Sequence, residues 1–252
     1  MNLHRVEPLI DGFPGKSETH GAFGWSSVWL ISGPERTMLV DTGGHAYVPV
    51  LRAELGRRGL SFEDVTDVLL THAHWDHSAN FTLFPRARVW IGADELDWAR
   101  RQSPGDHFLS ELHVDELARR ADRDDGMLRR LKDEETIAPG IRSILVPGHT
   151  PGHLALVVQA EQGPVVFAGD SVKNIRELHT LEADSTMDAA QSRRSIARIR
   201  ELMREGAVLV PGHDVLLRLE DGAVRRQRAQ RAQITFFATR EGEGADRSIE
   251  DR

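Results

Sequence analysis

The residues of this chain that could do chemistry concentrate in one short run, His72-Ala73-His74-Trp75-Asp76-His77, directly after the apolar stretch Val68-Leu69-Leu70. A continuous apolar run of that kind reads as a buried strand, so the polar side chains emerge at a strand exit. Residues two apart in an extended segment project to one side, so His72 and His74 can share one metal ion. Asp76 and His77 lie beyond the turn and can address a second. Imidazole and carboxylate are ordinary ligands for such ions. A histidine-rich loop without metal is the plainer alternative. Ligand-type side chains crowded at a strand exit have no use in core packing, which weighs against it.

Three further places repeat the pattern. His149 follows Ile144-Leu145-Val146-Pro147-Gly148, Asp170 follows Val166-Phe167-Ala168-Gly169, and His213 follows Leu209-Val210-Pro211-Gly212. In each, an apolar strand runs into a glycine and then a ligand-type residue, and glycine permits the close turn. Together with the first run they make a ligand set for two metals. Two divalent ions sharing a water lower its pKa enough to give hydroxide near neutrality, which can attack an electrophilic carbon or phosphorus. One metal polarises the substrate oxygen and stabilises the oxyanion. Asp76 is placed to orient the nucleophile and return a proton to the leaving group. Ser171, beside Asp170, reads as a hydrogen-bonding neighbour.

The composition narrows the chemistry. The chain of 252 residues has no cysteine, which excludes disulfides and thiolate metal sites. Imidazole and carboxylate ligands suit zinc, iron, manganese or cobalt better than copper(I). A formal net charge of −7 weighs against a nucleic-acid partner. No stretch reaches the roughly 18–20 apolar residues of a spanning helix, and Met1 to Pro8 lacks a signal-peptide core. The expectation is a cytoplasmic protein acting on a small-molecule substrate, with neither nucleic acid nor membrane as partner and a homodimer as candidate assembly.

The elements that must position these residues are strands in both halves of the chain. Ser27–Ser32 and Thr37–Val40 read as a hairpin. Val65–Thr71, Ala87–Ile91, Ile141–Val146, Leu154–Gln159, Val165–Ala168 and Ala207–Val210 read as further strands. Tyr47–Arg58 has helical spacing, with Val50, Leu51 and Leu55 on one side. Met187–Glu205 reads as an amphipathic helix capped by Ser185 or Thr186. Residues 93–138 are charged and read as a helical insertion, either a solvated outer layer or a cap over the site, with Leu109–Arg120 and Met127–Leu131 as helix-like runs. Arg225-Arg226-Gln227-Arg228 reads as a solvated helix face. Residues 240–252 read as a polar tail that frays, leaving 1–239 as one domain. Strand groups followed by helices fit a sandwich of two sheets with helices outside, rather than regular βαβ alternation.

From about Leu39 to Asp214 the chain resembles the metallo-β-lactamase superfamily. The resemblance rests on the His72–His77 run and the glycine-linked His149, Asp170 and His213. It implies an α/β fold, specifically an αββα sandwich of two mixed sheets with helices on the outer faces. It also implies that His72, His74 and His149 hold a first metal, that Asp76, His77 and His213 hold a second, and that Asp170 bridges them. Asp41, in Leu39-Val40-Asp41-Thr42-Gly43, and His153, four residues past His149, would support the ligands from behind and fix imidazole tautomers. The cofactor expected is a pair of divalent ions, zinc first, with iron or manganese as alternatives.

Within the superfamily, Thr71 to Trp90 and the following Glu95-Leu96-Asp97-Trp98-Ala99 resemble the N-acyl-homoserine lactonase branch. That implies a hydrolase in which a metal-bridging hydroxide attacks the carbonyl carbon of a lactone or other small ester. One position departs from the branch. Its members carry a substrate-contacting tyrosine three residues beyond the bridging aspartate, where this chain has Lys173. Lys173 would replace it as a cationic donor to the substrate, or pair with a carboxylate such as Glu177. A glyoxalase-II-like thioesterase or a phosphodiesterase of the same fold is the alternative activity. The thioesterases carry a helical domain after the last histidine, and the stretch after His213 is short for that. Asp170 weighs against β-lactamase activity and His74 against a flavodiiron oxidoreductase. A non-enzymatic metal-binding protein would more often have lost ligands. His45 is a candidate rim residue; His4, His20, His107, His113 and His179 read as surface or packed residues.

Overall fold

Neighbouring apolar residues in the strands serve different layers. In Val28–Ser32, Val28 and Leu30 pack towards one set of helices, whereas Trp29 and Ile31 pack towards the other sheet. In Gly163–Gly169, Val165 and Phe167 face the inter-sheet core, and Val166 and Ala168 face a different helix. Side chains alternate across a strand with period two. A strand apolar at every position is therefore one covered on both faces, and a one-residue slip would exchange the two sets. The result is four layers, helix, sheet, sheet, helix.

The computed structural model describes residues 3–17, 19, 21–236 and 245–251. The first sheet has the order β1 (Arg5–Ile10), β2 (Val28–Ser32), β3 (Thr37–Val40), β4 (Asp67–Leu69), β5 (Arg88–Gly92) and β6 (Leu128–Leu131). Its first two pairings are antiparallel and the rest parallel. The second sheet is drawn from later residues: β7 (Thr136–Ala138), β8 (Ile141–Leu145), β9 (Leu154–Ala160), β10 (Gly163–Gly169), β11 (Val208–Pro211), β12 (Leu217–Glu220) and β13 (Ala223–Arg226). Only β10 and β11 pair in parallel; the other neighbours are antiparallel. Each sheet thus comes from one continuous stretch of chain, and the chain passes from one to the other at 132–135.

Helices α1 (Val48–Arg57), α2 (Ala93–Gln102) and α3 (Glu111–Arg123) cover the first sheet through Leu51, Leu55, Leu96, Trp98, Val114 and Leu117. Helix α4 (Ala189–Arg204) covers the second through Ile196, Ile199 and Met203. Burying each such side chain stabilises the fold by roughly 1.5–3 kcal/mol, so the outer helices are held by their apolar stripes rather than by propensity.

Four local expectations are corrected. Met127–Leu131 is not helical: Leu128–Leu131 pairs in parallel with Arg88–Gly92 as the edge of the first sheet. The segment 93–138 therefore contains two helices and then strands β6 and β7. Helix α4 is capped by Asp188, whose side chain accepts from the Gln191 amide. Ser185 and Thr186 lie outside it, because the Met187 and Asp188 amides bond the Gly148 carbonyl instead. Arg225 and Arg226 lie on a strand, not a helix. Of the C-terminal stretch expected to fray, Ala245–Asp251 is a strand paired with Gln230–Phe236; residues 240–244 and 252 lie outside the described residues. Among the described residues, no helix is long and apolar enough to cross a membrane.

Candidate metal centre

Strands of both sheets end at one rim, and the candidate ligands sit just past those ends. Asp41 follows β3, His72 to His77 follow β4, His149 follows β8, Asp170 follows β10 and His213 follows β11. Asp41 adopts a left-handed backbone, φ 58, a conformation aspartate tolerates better than most residues. The turn sends its carboxylate back across the neighbouring strand. There it accepts from the Thr71 amide and hydroxyl, each at 2.8 Å, and lies 2.8 Å from His77 Nδ1. His77 therefore presents Nε2 to the rim.

A first trio is formed by His72, His74 and His149, whose candidate ligand atoms all lie within 4.8 Å of one another. His149 Nδ1 faces the Ser185 carbonyl at 2.9 Å, which leaves Nε2 pointing inward, 3.1 Å from His74 Nδ1. His72 is fully buried, and its Nε2 has no hydrogen-bond partner. A buried, unsatisfied nitrogen costs free energy unless something fills its lone pair, and a cation bound by the trio would do so. Burial holds all three imidazoles neutral: it pushes His72 and His149 well below the usual histidine range and His74 down to about 4. Neutral imidazole is the form that binds a metal. The donor set fits a divalent ion.

The second trio, Asp76, His77 and His213, has the opposite electrostatics. Burial opposes charge on His77 and His213, but the carboxylates of Asp170 and Asp76 outweigh it. His77 is held well above the usual range, with Asp41 adding to the pull, and His213 is raised. Asp170 lies between the trios. Its Oδ1 is 3.1 Å from His77 Nε2 and 3.2 Å from His213 Nε2, and its Oδ2 is 3.4 Å from His149 Nε2. Despite burial, His213 and His77 hold its carboxyl well below the ordinary carboxylate range. Gly212 makes this possible: a Cβ there would sit 2.1 Å from Asp170 Oδ1.

The metallo-beta-lactamase superfamily model matches residues 23–213. The chain belongs to that superfamily. A Bacillus sp. N-acyl homoserine lactonase is 24% identical over 163 residues, which span 64% of this chain and 60% of the lactonase. Human metallo-beta-lactamase domain-containing protein 1 is 34% identical over 178 residues, 70% of this chain and 57% of that protein. The match thus spans less than two thirds of either relative's length. A solved N-acyl homoserine lactone hydrolase, with its product N-hexanoyl-L-homoserine at the catalytic metal centre, superposes with TM-score 0.66 at 18% identity over 85% of this chain and 95% of that one. A Staphylococcus aureus structure described as a probable metal-dependent hydrolase gives TM-score 0.70 at 18% identity, covering 88% and 95%. At these identities the structural likeness shows the fold: the metallo-β-lactamase αββα sandwich.

The remaining candidates of this superfamily member fall into place around the trios. His153 is fully buried; its ring stacks on His72, with centroids 4.8 Å apart, and its Nε2 accepts from the Asp170 amide at 3.0 Å. It touches one ligand candidate and the backbone of another, and burial pushes its pKa down to about 3. Lys173 does not point to open space. Its Nζ donates to the Asp184 carbonyl at 2.6 Å and lies 3.4 Å from Glu177 Oε1, with the side chain 13% exposed. Ser171 donates its hydroxyl to the Ala168 carbonyl. His45 is exposed, 5.0 Å ring to ring from the buried His113. His4 is buried against the Pro139 carbonyl, His107 and His179 are exposed, and His20 lies outside the described residues.

Asp214 and the role of Glu95 escaped the sequence reading, whereas Glu177 was expected there only as a partner for Lys173. Asp214 is buried beside His213 and bonded by Arg226 through both oxygens, so Arg226 is held against the residue next to a candidate ligand and does not form a solvated face. Glu177 is fully buried and joins the Lys173 and Asp184 amides. Glu95, fully buried on α2, accepts from the Ala73 and Gly152 amides, and burial pushes its carboxyl up to about 7 against the pull of Thr150 and those amides. Glu95 entered the sequence reading only within the Glu95–Ala99 stretch; it shares a helix first turn with Asp94, where acids are common for the helix dipole alone, so no role could be read from it.

Proposed function

We propose that this chain is a dinuclear metal-dependent hydrolase of small-molecule carboxylic esters, with lactones the first substrates to test. The observation that carries the reading is Asp170, one buried carboxylate whose two oxygens are divided between the trios. Two divalent ions held there, zinc the first expectation, would supply an acidified water and a Lewis acid for a carbonyl oxygen. Asp76 keeps part of its carboxylate open, with its side chain 24% exposed. It is the group placed to orient a nucleophile and carry its proton to the leaving alkoxide. Beside it, Trp75 is 43% and Phe108 44% exposed, and the Phe108 ring lies 5.3 Å from that of His74. These rings offer an apolar flank for the acyl part of a substrate, and the segment that carries Phe108 gives the insertion a wall-forming role. The lactonase names among the relatives agree with a carbonyl substrate.

Lys173 enters this reading as a positioning residue in place of the substrate donor expected from the sequence. Its contacts hold the Asp184–Ser185 turn, and the Ser185 carbonyl orients His149. The experiment is a metal count on purified protein followed by a panel of lactones, linear esters, thioesters, phosphodiesters and β-lactams. Turnover of lactones or esters that disappears on chelation is the expected result. Turnover confined to phosphodiesters or thioesters would reassign the substrate. Full activity after exhaustive chelation would remove the metal from the reaction.

A further inference from the structure

Among the described residues, the buried carboxylates are Asp41, Asp67, Glu95, Asp170, Glu177 and Asp214. Asp67 meets Arg36, Glu177 meets Lys173 and Asp214 meets Arg226, while Asp41 and Asp170 face imidazoles. Glu95 differs, because neither a cation nor an imidazole faces it: it accepts from two backbone amides, with the Thr150 side chain also pulling on it. Oε1 accepts from Ala73 N at 2.9 Å and Oε2 from Gly152 N at 3.1 Å. Ala73 stands between His72 and His74. Gly152 stands in the turn between His149 and His153. Those two turns come from different sheets and carry the whole first trio.

The contact is built on both sides. A Cβ on Gly152 would lie 1.9 Å from the Glu95 amide nitrogen, and a Cβ on Gly92 would lie 2.1 Å from the Gly152 carbonyl oxygen. Helix α2 therefore begins directly against the second turn, and only glycine at these positions admits that approach. Leaving a carboxyl at full burial without a cation is costly. The offset available is the satisfaction of two backbone donors that would otherwise be orphaned.

We propose that Glu95 is a positioning residue: its carboxyl clamps the His72–His74 turn to the His149–His153 turn and so sets the spacing of the first metal trio. The proposal rests on the metal-binding reading above. The carboxyl is rigid, so its two oxygens fix the distance between Ala73 N and Gly152 N. A glutamine would present an amide NH2 to one of those donors and release one turn. An aspartate is too short to reach both.

Cobalt(II) titration tests this, because the visible spectrum reports coordination number and symmetry without any substrate. Every protein in the comparison, parent included, carries His213→Ala, which disables the second trio. Glu95→Gln in that background should bind cobalt(II) about 10–100-fold more weakly, in the range typical of groups that orient ligands, with a changed visible band. Glu95→Asp should fail to restore either and stands in for Glu95→Gln if that protein does not fold. Leu96→Ala, a core deletion on the same helix, should lower the melting temperature yet leave the cobalt affinity and band as they were. Unchanged affinity and spectrum in both Glu95 variants would overturn the proposal while leaving the metal reading intact. Equal weakening by Leu96→Ala would also overturn it, since the effect would then be loosened packing. A parent protein that takes up no cobalt would sink the metal reading and the clamp together.

Discussion

The two trios sit side by side and solve opposite problems. The first is three neutral imidazoles, buried, backed by a carbonyl, with His72 Nε2 lacking a partner. The second already balances its own charge. Its imidazoles are drawn upward by Asp41, Asp76 and Asp170, and it is the more open, with Asp76 and His213 side chains 24% and 14% exposed. The first trio has nothing of its own to satisfy its inward nitrogens and calls for a cation; the second can hold a proton in place of one. Fold symmetry does not explain the difference, since each trio takes two residues from the first sheet's loops and one from the second's. The placement of the carboxylates does.

The largest test of this contrast removes the group common to both trios. Asp170→Asn should lower turnover by at least about 10³-fold, because the several kcal/mol supplied by paired metals is lost, and elemental analysis should find at most one ion per chain. Two ions with near-parent turnover would mean that Asp170 does not join the sites. Next in size, Asp41→Asn strips the direct support from His77 and reaches His72 only through Thr71, whose hydroxyl lies 3.1 Å from His72 Nδ1. Metal affinity at the second trio should fall about 10–100-fold, and at the first trio by clearly less, since Asp41 reaches His72 only through Thr71. Titration that shows both sites weakened equally would break the distinction.

A smaller effect is expected at Lys173→Met. Glu177 would lose its cation, and breaking such a buried pair costs up to about 3 kcal/mol. Burial already raises the Glu177 pKa, so proton uptake offsets part of that cost. Thermal unfolding should show the loss, and KM for the best substrate should change less than twofold. A large KM effect without destabilisation would return Lys173 to the substrate.

The smallest signal is a proton count. His77 is held well above the usual histidine range, so at neutral pH the metal-free second trio retains a proton that an incoming ion must displace, and the raised His213 works in the same direction. The first trio is depressed and already neutral, His74 titrating only near about 4. Affinity at the second site should fall as pH drops from well above the histidine reference of about 6.5, and at the first only in much stronger acid. Calorimetry in buffers of different ionisation enthalpy should therefore assign proton release to one binding event and none to the other. Equal release in both would contradict the charge difference.

Much of this was legible because strands buried on both faces advertise themselves. Val68-Leu69-Leu70 and Val165-Val166-Phe167-Ala168 read as strands, and the residues after them converge as expected. The misreadings have physical causes. Leu128 and Leu131 are the buried ends of an edge strand whose middle arginines face solvent, and apolar residues three apart imitate a helix. Arg226 looked like one more solvated charge, because its buried partner, Asp214, is twelve residues away in sequence. Ser185 was a sound cap candidate by type. In the fold its backbone is left-handed, φ 50, and its carbonyl is given to His149. Local sequence shows what a residue can do; which of its options is taken depends on partners that only the sheets bring together.

The single passage between the sheets at 132–135 has a consequence for how the site comes into being. Cut there, the chain would give one fragment holding His72, His74, Asp76 and His77 and another holding His149, Asp170 and His213. Neither fragment contains a complete trio. On the proposed metal reading, uptake would be a logical AND over the two halves: an ion bound with full affinity would certify that both have docked in register, and a misassembled or half-synthesised chain would stay chemically silent.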